Sequence, residues 1–338
     1  MALHVHSRYS YGTGRVVEII EAGKKAGLDV LWLTDHDNRH AAKEPGAGYR
    51  DKLLFLVGME ITPPTNHYLA LGEIDPVDSS LPFQEIIDGV RQQGGLGFVA
   101  HPEDSGNATA RLPSYRWTDR AVYGFTGLEI WNHLSDWSRQ IHHLMGGAWA
   151  AWHPFSGLEG AWPATLRLWD RLAMQGPVVG IGGADAHAAH VGRGPFRFTV
   201  FPYRTSFSAI LNHVCLDTPL SSQWQEAQTQ LLGAFKSGQV AVLNASLGSE
   251  KGFRFWLSDP EGRVWPMGSS VSWQNGLLLE GQSPVFVQWE IWRDGKIVEK
   301  VDGTALLRKI GQTGVWRVVL RRGRRQAVWL YSNPIYIA

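Results

Sequence analysis

Short apolar runs of strand length recur through the first two thirds of this chain, and each stops at a histidine or a carboxylate. Val30-Leu31-Trp32-Leu33-Thr34 runs into Asp35-His36-Asp37. Leu54-Phe55-Leu56-Val57-Gly58-Met59 runs into Glu60, Phe98-Val99-Ala100 into His101, and the run from Val178 to Ala184 into Asp185-Ala186-His187. At the start, Leu3-His4-Val5-His6 alternates, so as a strand it turns both imidazoles to one face. Helical spacing separates the runs over Val16–Ala26, with Val16, Val17, Ile19, Ile20 and Gly23 on one side, and over Pro82–Gln92, Asp136–Trp149 and Pro163–Met174. Repeated β-α order predicts parallel strands with crossover helices, in an α/β layer fold or barrel. In a barrel the C-terminal rim of the strands gathers such polar ends into one site. His67, just before Tyr68-Leu69-Ala70-Leu71, is expected to enter that rim from the other side.

All 13 histidines lie between His4 and His213, and the stretch from there to Ala338 holds none. The pattern changes in the tail as well. Phe253–Leu257, Val285–Trp292, Gly314–Leu320 and Ala327–Tyr331 are strand-like, and Asp294-Gly295 is a two-residue hairpin signal. The chain therefore divides into a chemically active α/β part, residues 1–240, and an all-β sandwich, residues 241–338, expected to contribute no metal ligand. Arg321, Arg322, Arg324 and Arg325 surround Gly323 at an expected hairpin tip and read as solvated turn charges.

Lys plus Arg is 32 against 31 for Asp plus Glu, so neither a polyanion-binding surface nor a nucleic-acid partner is expected. No apolar run reaches the ~18 residues of a membrane span. The first residues form neither a basic nor an apolar leader, so a cytoplasmic protein without a membrane partner is expected. A single cysteine, Cys215, rules out an intrachain disulfide and a multi-cysteine metal knuckle, and in the amphipathic stretch Ser208–Leu216 it reads as a core residue. Neither Gly-x-Ser-x-Gly nor a P-loop occurs, which leaves serine-hydrolase and P-loop chemistry without support. What remains is imidazole and carboxylate. Burying several such groups together without a cation would be costly, and a cysteine-free set of them suits zinc, manganese or iron(II).

In this order, Leu3-His4-Val5-His6-Ser7, Ser10, Thr34-Asp35-His36, Gly58-Met59-Glu60, His101-Pro102 and Asp185-Ala186-His187 resemble the motifs of the PHP (polymerase and histidinol phosphatase) domain. Gly127-Leu128-Glu129-Ile130-Trp131-Asn132 and Ser332-Asn333-Pro334-Ile335-Tyr336 resemble more closely a bacterial branch that includes a carbaryl-hydrolysing enzyme and carries an extra β domain. The resemblance implies a distorted (β/α)7 TIM-like barrel with divalent metals at the strand C-termini. It implies one metal on His4, His6, Glu60 and Asp185, and a second that shares Glu60 as a bridge and adds His67 and His101. A third would use His36 and His187 with an acidic or imidazole ligand from the loop after the first strand, where this chain has Ser10-Tyr11-Gly12. Two metals are therefore expected. The family's Asp before Leu-His-x-His is Ala2 here, which implies weaker hydrogen-bond support behind the first metal's ligands.

Two close cations acidify a bridging water to hydroxide and stabilise the oxygens of an in-line displacement, which suits a phosphoesterase acting on small phosphorylated molecules. The catalytic set this implies is Glu60, Asp185, His36 and His187, with His36 or His187 protonating the leaving oxygen. Arg8 and Arg193 are candidate phosphate contacts and Tyr11 a candidate substrate neighbour, although a surface charge is the simpler account of each arginine. His133, His142, His143 and His153 read as structural or solvent-facing, and Glu129 and Asn132 as residues that line the site. A carbamate or carboxylic-ester hydrolase with the same metals is one alternative. A non-catalytic binding module of the same fold is the other.

Overall fold

In the computed structural model, which describes residues 1–109, 112–139, 141, 153–155, 158–191 and 198–338, the apolar runs become strands. β1 (Ala2–Leu3), β2 (Val30–Leu33), β3 (Gly48–Arg50) and β4 (Leu53–Val57) form a sheet of order β1-β2-β4-β3. Within it β1, β2 and β4 are parallel, and β3 is antiparallel to β4. A second sheet follows chain order: β5 (Met59–Ile61), β6 (Tyr68–Leu71), β7 (Leu96–Val99), β8 (Gly127–Asn132) and β9 (Val179–Gly183). Backbone hydrogen bonds tie the two sheets on both flanks. Ala184 N donates to Leu3 O at 2.9 Å and His6 N to Ala186 O at 3.0 Å. Opposite them, Glu60 N donates to Asp35 O at 3.1 Å and Asp37 N to Glu60 O at 2.9 Å. β2, β4, β6 and β7 are apolar along their length because they are covered on both faces.

The described helices are α1 (Val16–Lys25), α2 (Phe83–Gln92), α3 (His133–Ser138), α4 (Pro163–Ala173), α5 (Tyr203–Ser206) and α6 (Trp224–Lys236). α1 buries Val16, Ile19, Ile20 and Gly23, and the chain leaves it at Gly27, whose φ of 73° suits glycine. Val17, expected on the buried side, is 51% exposed, because each residue turns about 100° around the helix from the last. α2 buries Ile86, Ile87 and Val90 as expected.

Other expectations are corrected. The strands are not all parallel: β6 runs antiparallel to both β5 and β7. The short link from Ile61 to Tyr68 allows a reversal but no crossover helix. The first strand stops at Leu3, since His4 takes φ 63° and only Val5 continues as an isolated bridge to Ala186. In place of a helix over Asp136–Trp149, the described residues show only the short α3, and residues 142–152 lie outside them.

β10 (His190–Val191) and β11 (Phe198–Thr199) make a small ribbon. The remaining strands join in one ten-stranded sheet: β12 (Ile210–Val214), β13 (Val240–Asn244), β14 (Arg254–Ser258), β15 (Val264–Pro266), β16 (Ser270–Val271), β17 (Leu278–Arg293), β18 (Lys296–Lys309), β19 (Gly314–Arg322), β20 (Ala327–Ser332) and β21 (Ile335–Ile337). The β17–β18 hairpin turns at Asp294-Gly295, with φ of 50° and 74°, as a tight primed turn requires. The fold is thus mixed α/β with a large β-sheet region.

That sheet grips the first part of the chain. β13 pairs with β20 through Leu243 and Leu330. Arg317 of β19, 2% exposed, donates twice to Asp170 of α4, at 2.8 and 2.9 Å, between the rings of Trp169 and Trp292. Asn333 accepts from Gly180 N at 2.7 Å and donates to Gly180 O at 2.8 Å and to Val240 O at 2.6 Å. The arginine cluster is only half solvated: Arg321 donates to Glu290 at 2.8 Å and Arg322 to the Leu247 carbonyl, while Arg324 and Arg325 are exposed. Cys215 is half-buried against the apolar core of the sheet. No described helix is long and apolar enough to cross a membrane.

Candidate metal centre

Glu60, the second residue of β5, stands at the middle of the polar ends. Its Oε2 lies 3.1 Å from His4 Nε2, 3.2 Å from His6 Nε2 and 3.2 Å from His36 Nδ1. Its Oε1 lies 2.9 Å from His67 Nδ1 and 3.3 Å from His101 Nε2. Asp185 Oδ1 faces the same space, 3.5 Å from both His4 Nε2 and His6 Nε2 and 3.4 Å from His187 Nδ1. His4, His6 and Glu60 group within 4.8 Å of one another, as do Glu60, His67 and His101; His4, His101 and Asp185; and His6, His36 and His187. None of these groups draws on the tail among the described residues. Every candidate ligand named from the sequence is therefore brought to one place.

The local backbone explains how. His4, His101 and Asp185 take φ of 63°, 27° and 47°, left-handed values that cost of order 1–3 kcal/mol each for non-glycine residues. Each follows the last residue of an apolar strand or lies close to it, and the turn re-aims its side chain inward. His67 arrives from the opposite direction because β6 is antiparallel.

The support behind these side chains was only partly legible. Glu129, buried inside β8, accepts from His4 Nδ1 at 2.7 Å, from His101 N at 2.7 Å and from Asn132 Nδ2 at 2.9 Å. That bond puts the His4 proton on Nδ1 and turns Nε2 toward Glu60, so the support expected to be weak at Ala2 comes from Glu129. Asn132 also donates to Asp185 Oδ2 at 3.2 Å. Gly183 makes room for this: a Cβ there would overlap Glu129 Oε1. Asp35 accepts from Ser7 N and Oγ at 2.7 Å each and from Ser10 Oγ at 2.5 Å, and Asp37 accepts from Thr62. Both aspartates are held by these donors, and Ser10 Oγ, bonded to Asp35, also lies 3.5 Å from His6 Nδ1.

Burial opposes ionisation of the Glu60 and Asp185 carboxyls, but the adjacent imidazoles, His4 foremost, hold both well below the usual carboxylate range. Burial also opposes charge on His101, yet its bond to Glu60 prevails and raises it to about 9. His4 is raised well above an ordinary histidine against its burial, through Glu129, Asp185 and Glu60. Burial and then the His6 charge push His36 down to about 3 and His187 to about 4. A cation would compete with the protons on His4 and His101, so its binding would release them.

Other candidates lie apart. Arg8 is exposed on the loop after β1, and Tyr11 is 79% exposed with its ring 5.1 Å from His36. Arg193, His142 and His143 lie outside the described residues. His133 is wholly buried, stacks on Phe201 at 4.8 Å and sits 3.0 Å from Pro154 O, which is a packing role. Tyr115, its ring 4.4 Å from His67, had no signal in the sequence, because its loop follows no periodic pattern.

Residues 2–86 match the model of the PHP domain. An uncharacterized protein of Methanocaldococcus jannaschii is 27% identical over 113 residues, 30% of this chain and 66% of that protein, just under two thirds of its length. Among solved structures, a Bacteroides vulgatus two-domain protein described as containing a "predicted PHP-like metal-dependent phosphoesterase" is 14% identical, covers 98% of this chain and 94% of its own, and has a TM-score of 0.48. An amidohydrolase from Chromobacterium violaceum with bound sulfate and no metal is 17% identical, covers 55% of this chain and 87% of its own, and has a TM-score of 0.31. Both structural likenesses are remote. The matched segment contains His4, His6, His36, Glu60 and His67, and over that segment the chain is similar to the PHP domain.

Proposed function

We propose that this chain is a metal-dependent hydrolase holding two divalent ions, and that it acts as a phosphoesterase on small phosphorylated molecules. One observation carries the reading. His4 Nε2, His6 Nε2, His36 Nδ1 and Glu60 Oε2 converge in the interior, and all four are buried without a hydrogen-bond partner. Buried ligand atoms left without hydrogen bonds in this way are costly unless a cation lies among them. The donor set, imidazole and carboxylate without thiolate, fits zinc, manganese or iron(II).

In this reading His4, His6, Glu60 and Asp185 hold one ion, and Glu60, His67 and His101 the other. When bound, such a pair acidifies water and neutralises the charge of an in-line displacement. Glu60 offers one oxygen to each set and offsets the repulsion between two cations. His187 Nδ1 donates to Asp185 O at 3.0 Å, which leaves Nε2 as the atom that exchanges a proton with the leaving oxygen; His36 is the other candidate for that role. A third ion at full occupancy is not expected: the carboxylates that face His6, His36 and His187, Glu60 and Asp185, already serve the first two sets, and the Tyr11 side chain is turned to solvent.

We read the fold as a distorted (β/α)7 TIM-like barrel, residues 1–240, with a β-sandwich over 241–338. The bonds from β9 to β1 and from Asp35 to Glu60 support closure of the first part. The separate apolar core around Trp289 and Trp329 supports the second. Arg8 and Tyr11 are substrate neighbours in the same proposal. A cytoplasmic location and the absence of nucleic-acid or membrane partners rest on the net charge of +1 and the single cysteine.

Metal analysis of untagged protein, coupled to an ester panel, tests the reading. About two ions per chain are expected, with phosphate monoesters turned over faster than aryl carbamates or carboxylic esters and all turnover lost on chelation. Faster carbamate turnover would move the chemistry to those esters. Protein that holds no metal and stays inactive after reloading would overturn the proposal.

A further inference from the structure

Two tyrosines border the centre. The Tyr115 ring lies 4.4 Å from that of His67 and 6.2 Å from that of His101. The Tyr11 ring lies 5.1 Å from His36 and meets it edge-on at 61°. His36 and His67 are themselves 6.2 Å apart, so Tyr11, His36, His67 and Tyr115 make a chain of four neighbouring rings. His36 and His67 both touch that carboxylate, at 3.2 and 2.9 Å.

The Tyr115 loop is held from several directions. Arg116 Nε donates to Glu103 at 2.9 Å and Arg120 Nη2 to the same carboxylate at 2.7 Å. Trp117, 1% exposed, donates its backbone N to Pro102 O at 2.9 Å. Ser114 Oγ donates to Asp104 O at 3.0 Å, and Thr118 N to Asn66 Oδ1 at 2.6 Å. Asn66 precedes His67, and Pro102, Glu103 and Asp104 follow His101. The loop is therefore fastened to the same two turns that deliver His67 and His101. Tyr11 precedes Gly12, whose backbone packs so closely that a Cβ would overlap the His6 carbonyl, while the Tyr11 ring itself is 79% exposed. A loop fastened in this way holds the Tyr115 ring in place beside His67, as a binding site needs.

We propose that Tyr11 and Tyr115 form an aromatic subsite that receives a planar aromatic group attached near the scissile ester. The chain then prefers arylalkyl esters to aliphatic ones of equal size. The inference rests on the hydrolase reading for where the ester sits. Ring pairs at these separations attract beyond their buried area, through the quadrupole of the π face. A saturated ring of similar volume covers the same surface but lacks that face.

Calorimetry on the metal-loaded protein with two non-hydrolysable probes, 2-phenylethylphosphonate and 2-cyclohexylethylphosphonate, tests it. The phenyl compound should bind about three- to tenfold more tightly, the gain expected of one or two ring pairs. Tyr115→Leu and Tyr11→Leu should each bring the ratio toward one, and Tyr115→Phe should keep it. Equal affinities in the wild type, a ratio unmoved by Tyr115→Leu, or no binding of either probe would overturn the subsite. Metal content and turnover of the matching phosphate esters, measured on the same samples, report separately on the hydrolase. Metal and turnover without a preference keep the hydrolase and remove the subsite. Selective binding of the phenyl probe without turnover does the reverse.

Discussion

Two glutamates, Glu60 in the first part of the chain and Glu290 in the tail, are each only 1% exposed, yet their company is opposite. Glu290 receives Arg321 Nε at 2.8 Å, Lys300 Nζ at 2.9 Å and Trp292 Nε1 at 3.3 Å. Glu60 faces imidazoles on both oxygens, and its Oε2 has no hydrogen bond at all. Permanent cations complete a carboxylate. Imidazoles bring lone pairs as readily as protons, and a ring of them leaves an anion waiting for a cation. Burial alone therefore does not mark a site in this protein; the convergence of unsatisfied imidazole and carboxylate atoms around Glu60 does.

The severest way to break the comparison is Glu60→Gln. It removes the charge offered to both ligand sets, and several kcal/mol of lost transition-state stabilisation corresponds to a drop on the order of 10³-fold in activity. The circular dichroism spectrum should stay that of the wild type, and activity within a few-fold of wild type would refute the metal assignment. Glu129→Gln is next. Weakening the bond that turns His4 Nε2 inward should lower metal affinity about 10–100-fold, read by competition with a chelator. The matched change in the tail, Glu290→Gln, should cost about 2 kcal/mol in a denaturant titration and leave metal content and kcat/KM untouched. A loss of activity there would show that the two regions share more than the geometry implies.

The smallest effect concerns His213, 3.5 Å from Glu250. Burial disfavours its charge, but Cys215 and Glu250 prevail and raise it to about 9 from the ordinary 6.5. A pKa raised by folding stabilises fully below 6.5, and that contribution fades as pH climbs through 9. Stability should fall by about 1–2 kcal/mol over this window after allowance for solvent screening, and His213→Gln should flatten the slope. An identical slope in the variant would remove the pair from the account.

Most of the centre was legible because its residues close apolar strands, where polarity stands out against the run before it. Glu129 was harder to place. It sits within a fully buried strand, whose period does not show that it reaches back to His4 through the space above Gly183. Tyr115 was invisible, since a loop held by Glu103 and Asn66 has no period to read. The reversal at β6 was missed for a different reason. A buried strand is apolar whichever way it runs, so direction has to be inferred from the length of the connection, and the link from Ile61 to Tyr68 is short. The junction at 240 is similar: composition changes there, but hydrogen bonding does not, because β12 and β13 already belong to the ten-stranded sheet.

The contacts of Asn333 set an order on synthesis. The amide that satisfies both backbone groups of Gly180 is made 153 residues after the strand it serves. Until then β9, which leads into Asp185, has an open amide and an open carbonyl in the interior, and the Val240 carbonyl lacks the same partner. Glu60, His67 and His101 come early in the chain, but the last carboxylate of the cluster, Asp185, rests on a strand that is not yet fastened. The chain therefore acquires a finished centre only when its far end has emerged and folded back.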